Sequence, residues 1–179
     1  MKILHVISTM NPDFGGPVEN IKLYCKKYQK FKSTGEVICS DSPFSRWRSQ
    51  KNLPKVYFLG PGYFNYTLNL NLDKWLNGNL NNYDFVIING LWQYHSYATY
   101  KACIKFKKPY FVFTHGMLDP YFNKENPIKH IKKYVYWFLF ERHVLKNANK
   151  VLFTTREEKK LARLSFKPYK CKESFIGYG

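Results

Sequence analysis

The chain predicts a Rossmann-like α/β domain, a parallel sheet with helices on both faces. Three observations carry that prediction. Short apolar runs alternate along the chain with longer segments of helical period. Two of the runs, Phe85-Val86-Ile87-Ile88 and Tyr110-Phe111-Val112-Phe113, are apolar at every position, as strands buried on both faces are. The first run is joined to the first helical segment by Asn11-Pro12-Asp13-Phe14-Gly15-Gly16-Pro17, a glycine turn of the kind that parallel α/β domains place between a strand and a helix. A length of 179 residues suits one domain, spanning 1–179.

The elements follow in order. Lys2–Ser8 reads as the first strand. Gly15 and Gly16 lack a Cβ, so the chain can turn sharply and a ligand can approach the backbone. Pro17 suits the first helical position and Glu19 favours the helix start. Val18, Ile21, Cys25 and Tyr28 then give one buried helical face. Glu36–Ser40 and Lys55–Leu59 read as strands, the second stopped by Gly60-Pro61-Gly62. From Thr67 to Leu80 two periods compete. Leu68, Leu70 and Leu72 alternate like a strand, whereas Leu68, Leu72, Trp75, Leu76 and Leu80 fit a helix. The helix is preferred, with Thr67 as its N-cap. Phe85–Ile88 is a strand, about Ser96 to Phe106 a helix, and Tyr110–Phe113 a strand. A long helix covers roughly Ile128 to Lys146 and closes at Asn147. Val151–Thr154, a helix over Arg156–Leu164 and a last short strand over Glu173–Ile176 complete the alternation. No repeat, low-complexity tract or interdomain linker interrupts it.

The net charge of +17 points to an anionic partner: a membrane surface, a phosphorylated substrate or nucleic acid. Richness in Lys, Asn, Tyr, Phe and Ile together is also what AT-biased coding produces, so clustering of charge carries more weight than its sum. No recognised nucleic-acid reading motif is present, and no nucleic-acid partner is expected. Cys25, Cys39, Cys103 and Cys171 are scattered without C-x-x-C spacing, which suggests neither zinc nor a redox motif but reduced, mostly buried thiols. The N-terminus has no signal-peptide cleavage pattern, and no stretch approaches the ~20 apolar residues of a membrane span. A cytoplasmic protein is expected, with peripheral attachment to the inner face of the membrane as a further option.

Ligands of open parallel sheets bind beyond the carboxyl ends of the strands, and here those ends carry the unusual residues. They are Gly15-Gly16, Asp41-Ser42, Asn89-Gly90-Leu91-Trp92-Gln93-Tyr94-His95, Thr114-His115-Gly116-Met117-Leu118-Asp119 and Thr155-Arg156-Glu157. His115 and His95 stand beside or near glycines on such ends. Asp41 has the spacing of a ribose-binding carboxylate, but Gly15-Gly16-Pro17 is not G-x-G-x-x-G. No P-loop, G-x-S-x-G or H-E-x-x-H appears, and no metal is expected.

Taken together, Lys2–Ile7 through Phe14-Gly15-Gly16-Pro17, Asn89-Gly90-Leu91-Trp92, Thr114-His115-Gly116-Met117-Leu118-Asp119-Pro120, Glu141-Arg142 and Val151–Glu158 resemble the family 4 (group 1) glycosyltransferases. The resemblance spans the N-terminal half of such an enzyme. It implies the GT-B architecture, in which two Rossmann-type domains face across a cleft. The N-terminal domain mainly binds the acceptor, and the C-terminal domain binds the nucleotide-sugar. Transfer usually retains configuration and needs no metal. Gly15 and Gly16 would lie by the donor diphosphate and the acceptor. His115 would hydrogen-bond near the donor sugar at the reacting centre. Asn89, Trp92, His95, Gly116, Asp119 and Glu157 are the further candidates for substrate contact. The chain ends at Phe175-Ile176-Gly177-Tyr178-Gly179, which resembles the segment leading into the second domain. The expectation is an acceptor-side half without its nucleotide-sugar domain, inactive alone. A UDP- or GDP-sugar co-substrate is expected only with that C-terminal domain or a partner subunit. The acceptor would be a glycan or lipid-linked, in surface polysaccharide or glycolipid synthesis.

One segment points elsewhere. Lys124, Lys129, Lys132 and Lys133 precede the apolar run Tyr134–Phe140. Ile128, Ile131, Val135 and Phe138 suffice to pack a helix on the sheet, which leaves Tyr136, Trp137 and Phe140 for another surface. That surface is a neighbouring helix, a second domain, or a membrane met by Lys129, Lys132, Lys133 and Trp137. Arg46, Arg48 and Lys51 form a second basic cluster, a solvated loop or an acceptor-phosphate contact. The alternative function is a non-enzymatic basic accessory that carries a partner transferase to a membrane.

Overall fold

The computed structural model describes residues 1–120 and 127–176, with the side chains of 127–130 left aside. Lys124 and Gly177-Tyr178-Gly179 therefore lie outside the described residues, as do the side chains of Ile128 and Lys129. The elements are β1 (Lys2–Ile7), α1 (Gly16–Gln29), β2 (Thr34–Cys39), β3 (Lys55–Phe58), α2 (Leu70–Asn79), β4 (Phe85–Asn89), α3 (Tyr94–Lys105) and β5 (Tyr110–Phe113). They continue with α4 (Pro127–Tyr136), a π-helical turn (Trp137–Glu141), α5 (Arg142–Asn147), β6 (Lys150–Phe153), α6 (Arg156–Ser165) and β7 (Glu173–Phe175).

Among the described residues the seven strands form one sheet in the order β3-β2-β1-β4-β5-β6-β7. Every neighbouring pair is parallel. Leu4, Val6, Val86, Ile88, Val112 and Val151 point to one face, where Leu72 and Leu76 of α2, Ala98 and Ala102 of α3, Val144 of α5 and Ala162 of α6 cover them. Ile7, Val37 and Cys39 point to the other face and meet Val18, Ile21 and Cys25 of α1. Ile3, Ile87, Phe113 and Leu152 share that second face with Tyr24 and Tyr28. The division follows from handedness. The crossovers from β1 to β2 and from β2 to β3 step one way along the sheet and those from β3 onward step the other way, so right-handed connections put their helices on opposite faces. The direction reverses between β1 and β4, which makes their C-terminal ends a topological switch point.

Two expectations need correction. Asn69, not Thr67, caps α2, accepting from Asn71 N at 3.1 Å. Thr67 has a φ of 54° and precedes Leu68, which bridges antiparallel to Tyr63. The alternating leucines begin in that bridge rather than in the helix. The second correction is the face of the long helix. Trp137 is 1% exposed and cannot meet a membrane. Its ring packs on Trp92, Phe166 and Tyr169, and its Nε1 donates to Pro168 O at 3.3 Å. Tyr136 and Phe140 pack inward on Tyr66 and Tyr97, while Ile131, Val135 and Phe138 face out. A run with no polar residue has no period from which to read a face, and the larger aromatic rings take the buried side. Lys132 is exposed, and Lys133 Nζ lies 5.2 Å from the centroid of the Trp92 ring.

Candidate functional site

At the C-terminal rim of the sheet lies a cleft of about 360 Å³. Gly16, Pro17 and Asn20 line it from α1, His115, Gly116 and Asp119 from the loop after β5, and Thr154, Thr155, Glu157, Glu158 and Leu161 from the start of α6. The glycine turn and the imidazole thus share one hollow. Gly15 makes the elbow with a φ of 71°, its N–H donating to Pro12 O at 2.8 Å and its carbonyl accepting from Val18 N at 3.1 Å. Gly16 is the wall, and a Cβ built on it would meet no atom within 4 Å.

Asn89 ends β4 and sits beneath this wall. Its Nδ2 donates to Ile87 O at 3.1 Å and to Val6 O at 3.4 Å. Both are acceptors only, so Oδ1 must face His115, whose Nε2–H donates to it at 3.3 Å. That tautomer leaves His115 Nδ1 as an acceptor. The ring stacks on Phe113 at 4.5 Å and 6°. Burial lowers its pKa to about 4, against a smaller upward pull from Glu158, so the imidazole is neutral near pH 7. Asn89 also donates to His5 Nδ1 at 3.3 Å, and His5 Nε2 lies 3.0 Å from Tyr28 Oη. Burial, then the charge of His115, hold His5 down at about 3.

Glu158 is the residue that sequence reasoning passed over in favour of Glu157. One carboxylate oxygen accepts from Thr114 Oγ1 at 2.6 Å and Gly116 N at 2.7 Å. The other accepts from Thr154 N and Thr154 Oγ1, both at 2.8 Å. Burial raises its pKa, but these donors outweigh burial and hold it below the ordinary carboxylate value. Glu158 therefore clamps the turn that carries His115 to the first turn of α6. The signal was Thr155-x-x-Glu158, a capping box, in which Thr155 Oγ1 does accept from Glu158 N at 2.9 Å.

The other candidates divide. Gly16, Gly116, His115, Asp119 and the exposed Glu157 border the cleft. Asn89 and His95 are buried and do not reach it. His95 Nε2–H donates to Asn89 O at 2.9 Å, and burial lowers its pKa to about 4. It belongs to the frame and not to a ligand contact, because α3 starts at Tyr94 and turns the imidazole inward. Trp92 is likewise turned away, its Nε1 donating to Met117 O at 3.0 Å and its ring packed on Phe166. Asp41 is occupied by Thr9 Oγ1 and Met10 N, both at 2.6 Å, so it holds the loop after β1 rather than a ribose. Glu141 is fully buried in the π turn, with Oε1 accepting from Trp92 N at 2.7 Å and Ser96 Oγ at 2.6 Å.

The cleft has a charge unlike that of its chain. Among the described residues it is lined by the carboxyl groups of Asp119, Glu157 and Glu158 and by no Lys or Arg, in a protein of net charge +17. Carboxylates and a neutral imidazole accept hydrogen bonds from hydroxyl groups, and the carboxylates repel phosphate.

No protein-family model and no curated protein matches the chain. Solved structures do. The chain is similar to Anabaena Alr3699/HepE in complex with UDP-glucose, with a TM-score of 0.66 and 15% identity over 100% of this chain and 44% of that one. It is similar to S. aureus MnaA with UDP, with a TM-score of 0.58 and 16% identity over 92% of this chain and 42% of that one. It is also similar to UDP-N-acetylglucosamine 2-epimerase from Rickettsia bellii, with a TM-score of 0.54 and 14% identity over 95% of this chain and 45% of that one. The chain thus spans less than half the length of these proteins. At such identities the likeness is one of fold: the chain has the Rossmann-like α/β fold of one GT-B half-domain.

Proposed function

We propose that the chain is the acceptor-side half of a retaining, metal-independent family 4 glycosyltransferase. In this reading it moves a sugar from a UDP- or GDP-sugar to a glycan or lipid-linked acceptor, in surface polysaccharide or glycolipid synthesis. The observation that carries it is the acid-lined cleft in a basic chain. Such a wall suits the hydroxyl groups of a sugar. His115 is neutral over the physiological range, so its Nδ1 accepts a hydrogen bond from a sugar hydroxyl at the reacting centre. Gly16 and Gly116 let the sugar ring lie against backbone, and Asp119 and Glu157 orient further hydroxyls.

The leaving diphosphate needs positive charge or N–H donors at the moment of transfer, which among the described residues this wall offers only at the amino ends of α1 and α6. Donor and acceptor must also be held in near-attack geometry. Both requirements call for a second, nucleotide-binding lobe, and the UDP complexes of the HepE and MnaA structures are consistent with one. The chain by itself is then expected to bind acceptor without transferring sugar.

The test is reconstitution with a separately expressed nucleotide-binding half and a panel of acceptors. Sugar transfer should appear, and His115→Ala should lower it at least ~100-fold, the loss typical of a group in the reacting centre. A reconstituted His115→Ala pair as active as the unmutated pair would reject the site.

A further inference from the structure

We propose that the outward face of α4 and the following π turn docks on an anionic lipid bilayer, a contact that stands independently of the proposed reaction. Ile131, Val135, Phe138 and Leu139 recur at helical spacing and are between 47% and 63% exposed. Large apolar side chains concentrated on one helix face are unusual on a surface that meets only water. The charge around them is of one sign. Between residues 127 and 147 the only acid is Glu141, and it is fully buried. Lys132 and Lys146 are exposed beside the stripe. The Arg142 guanidinium lies 3.8 Å over the Phe138 ring, which extends the stripe into a cation.

Apolar side chains bordered by cations, on a segment from 127 to 147 whose one acid is buried, match the layered chemistry of an anionic bilayer. The stripe sinks to the acyl boundary while the long basic side chains remain at phosphate level. A protein groove that covered the stripe would need its own row of acids opposite these cations, whereas anionic headgroups supply that charge without a defined register. Among the described residues no helix is long and apolar enough to cross a membrane, so the contact is interfacial. The inserting residues differ from those expected from sequence: Trp137 is inside, and its neighbours Phe138 and Leu139 are out.

The experiment is cosedimentation of the whole chain with vesicles of phosphatidylcholine alone and of phosphatidylcholine with phosphatidylglycerol in equal parts. Three proteins are compared: wild type, Phe138→Ser with Leu139→Ser, and Lys132→Gln with Lys146→Gln. Circular dichroism checks that each is folded. Wild type should bind the mixed vesicles well and the neutral ones poorly. The serine pair, whose net charge is unchanged, should bind the mixed vesicles at least about tenfold more weakly. Each lysine removed should cost about fivefold at low salt. A folded serine pair that binds as tightly as wild type would overturn the proposal, because net charge alone would then explain adsorption. Equal wild-type binding to neutral and mixed vesicles would overturn it too. So would a wild type that ignores vesicles but dimerises through the stripe, which would assign the face to a second copy.

Discussion

Glu141→Gln should change how stability depends on pH. Burial pushes the Glu141 pKa up from 4.5 to about 7, against the bonds from Ser96 and Trp92 N. Its Oε2 has no hydrogen-bond partner among the described residues. A carboxyl group whose folded pKa is raised binds its proton more tightly in the folded state. Its contribution to stability is therefore complete below the unfolded value and is lost as pH rises through the folded one. The gap between 4.5 and about 7 corresponds to about 3 kcal/mol. Glutamine keeps a carbonyl oxygen for Trp92 N and Ser96 Oγ but carries no charge. Urea unfolding of both proteins from about pH 5 to about pH 8.5, extrapolated linearly to water, should show their difference moving by about 2.5 kcal/mol in favour of the variant. Other titrating groups are common to both proteins and cancel. Parallel curves for wild type and variant would refute the reasoning.

The buried histidines act in the opposite sense. His5 at about 3 and His95 and His115 at about 4 have depressed folded values. Their stabilisation holds above the unfolded value near 6.5 and is lost as pH falls toward 4, with a slope approaching ~4 kcal/mol per pH unit; urea unfolding in the Glu141→Gln background reads it. Glu158→Gln removes a charged acceptor of four hydrogen bonds and should cost about 2 kcal/mol. It should also speed hydrogen exchange at the Gly116 amide before global unfolding, whereas unchanged exchange there would deny the clamp. Gly16→Ala meets no atom within 4 Å and should leave stability within about 0.5 kcal/mol, while Gly15→Ala, at a φ of 71° and a ψ of −128° outside the left-handed helical region, should cost about 1–3 kcal/mol. Chemical denaturation separates the two, and loss of acceptor binding in the stable Gly16→Ala protein would tie the wall to the ligand.

Strand positions were legible because parallel strands buried on both faces leave uninterrupted apolar runs, and Phe85–Ile88 and Tyr110–Phe113 lie within their strands as read. The cleft's position was legible for a topological reason, since the glycine turn and the His115 turn both follow central strands. What local sequence does not carry is where a side chain goes once neighbouring loops meet. His95 and His115 follow adjacent strands, yet an early helix start buries one and the Asn89 amide steadies the other at the rim. Glu158 was passed over for Glu157 because its Thr114 and Gly116 partners are more than forty positions away in sequence. The face of α4 was unreadable because an all-apolar run has no period and because the π turn, which no residue announces, changes the register beyond it.

The strand order has a kinetic consequence. Strands β1, β2 and β3 are neighbours in chain order, and so are β4 through β7. Only the β1–β4 seam joins distant segments, as when Lys2 N donates to Asp84 Oδ2 across 82 positions. The two sides can condense early from nearby pieces, and zipping this seam is the natural bottleneck of folding. Truncating Val6 or Ile88, which face each other across it, should slow folding, while truncations in β6 or α6 should chiefly hasten unfolding.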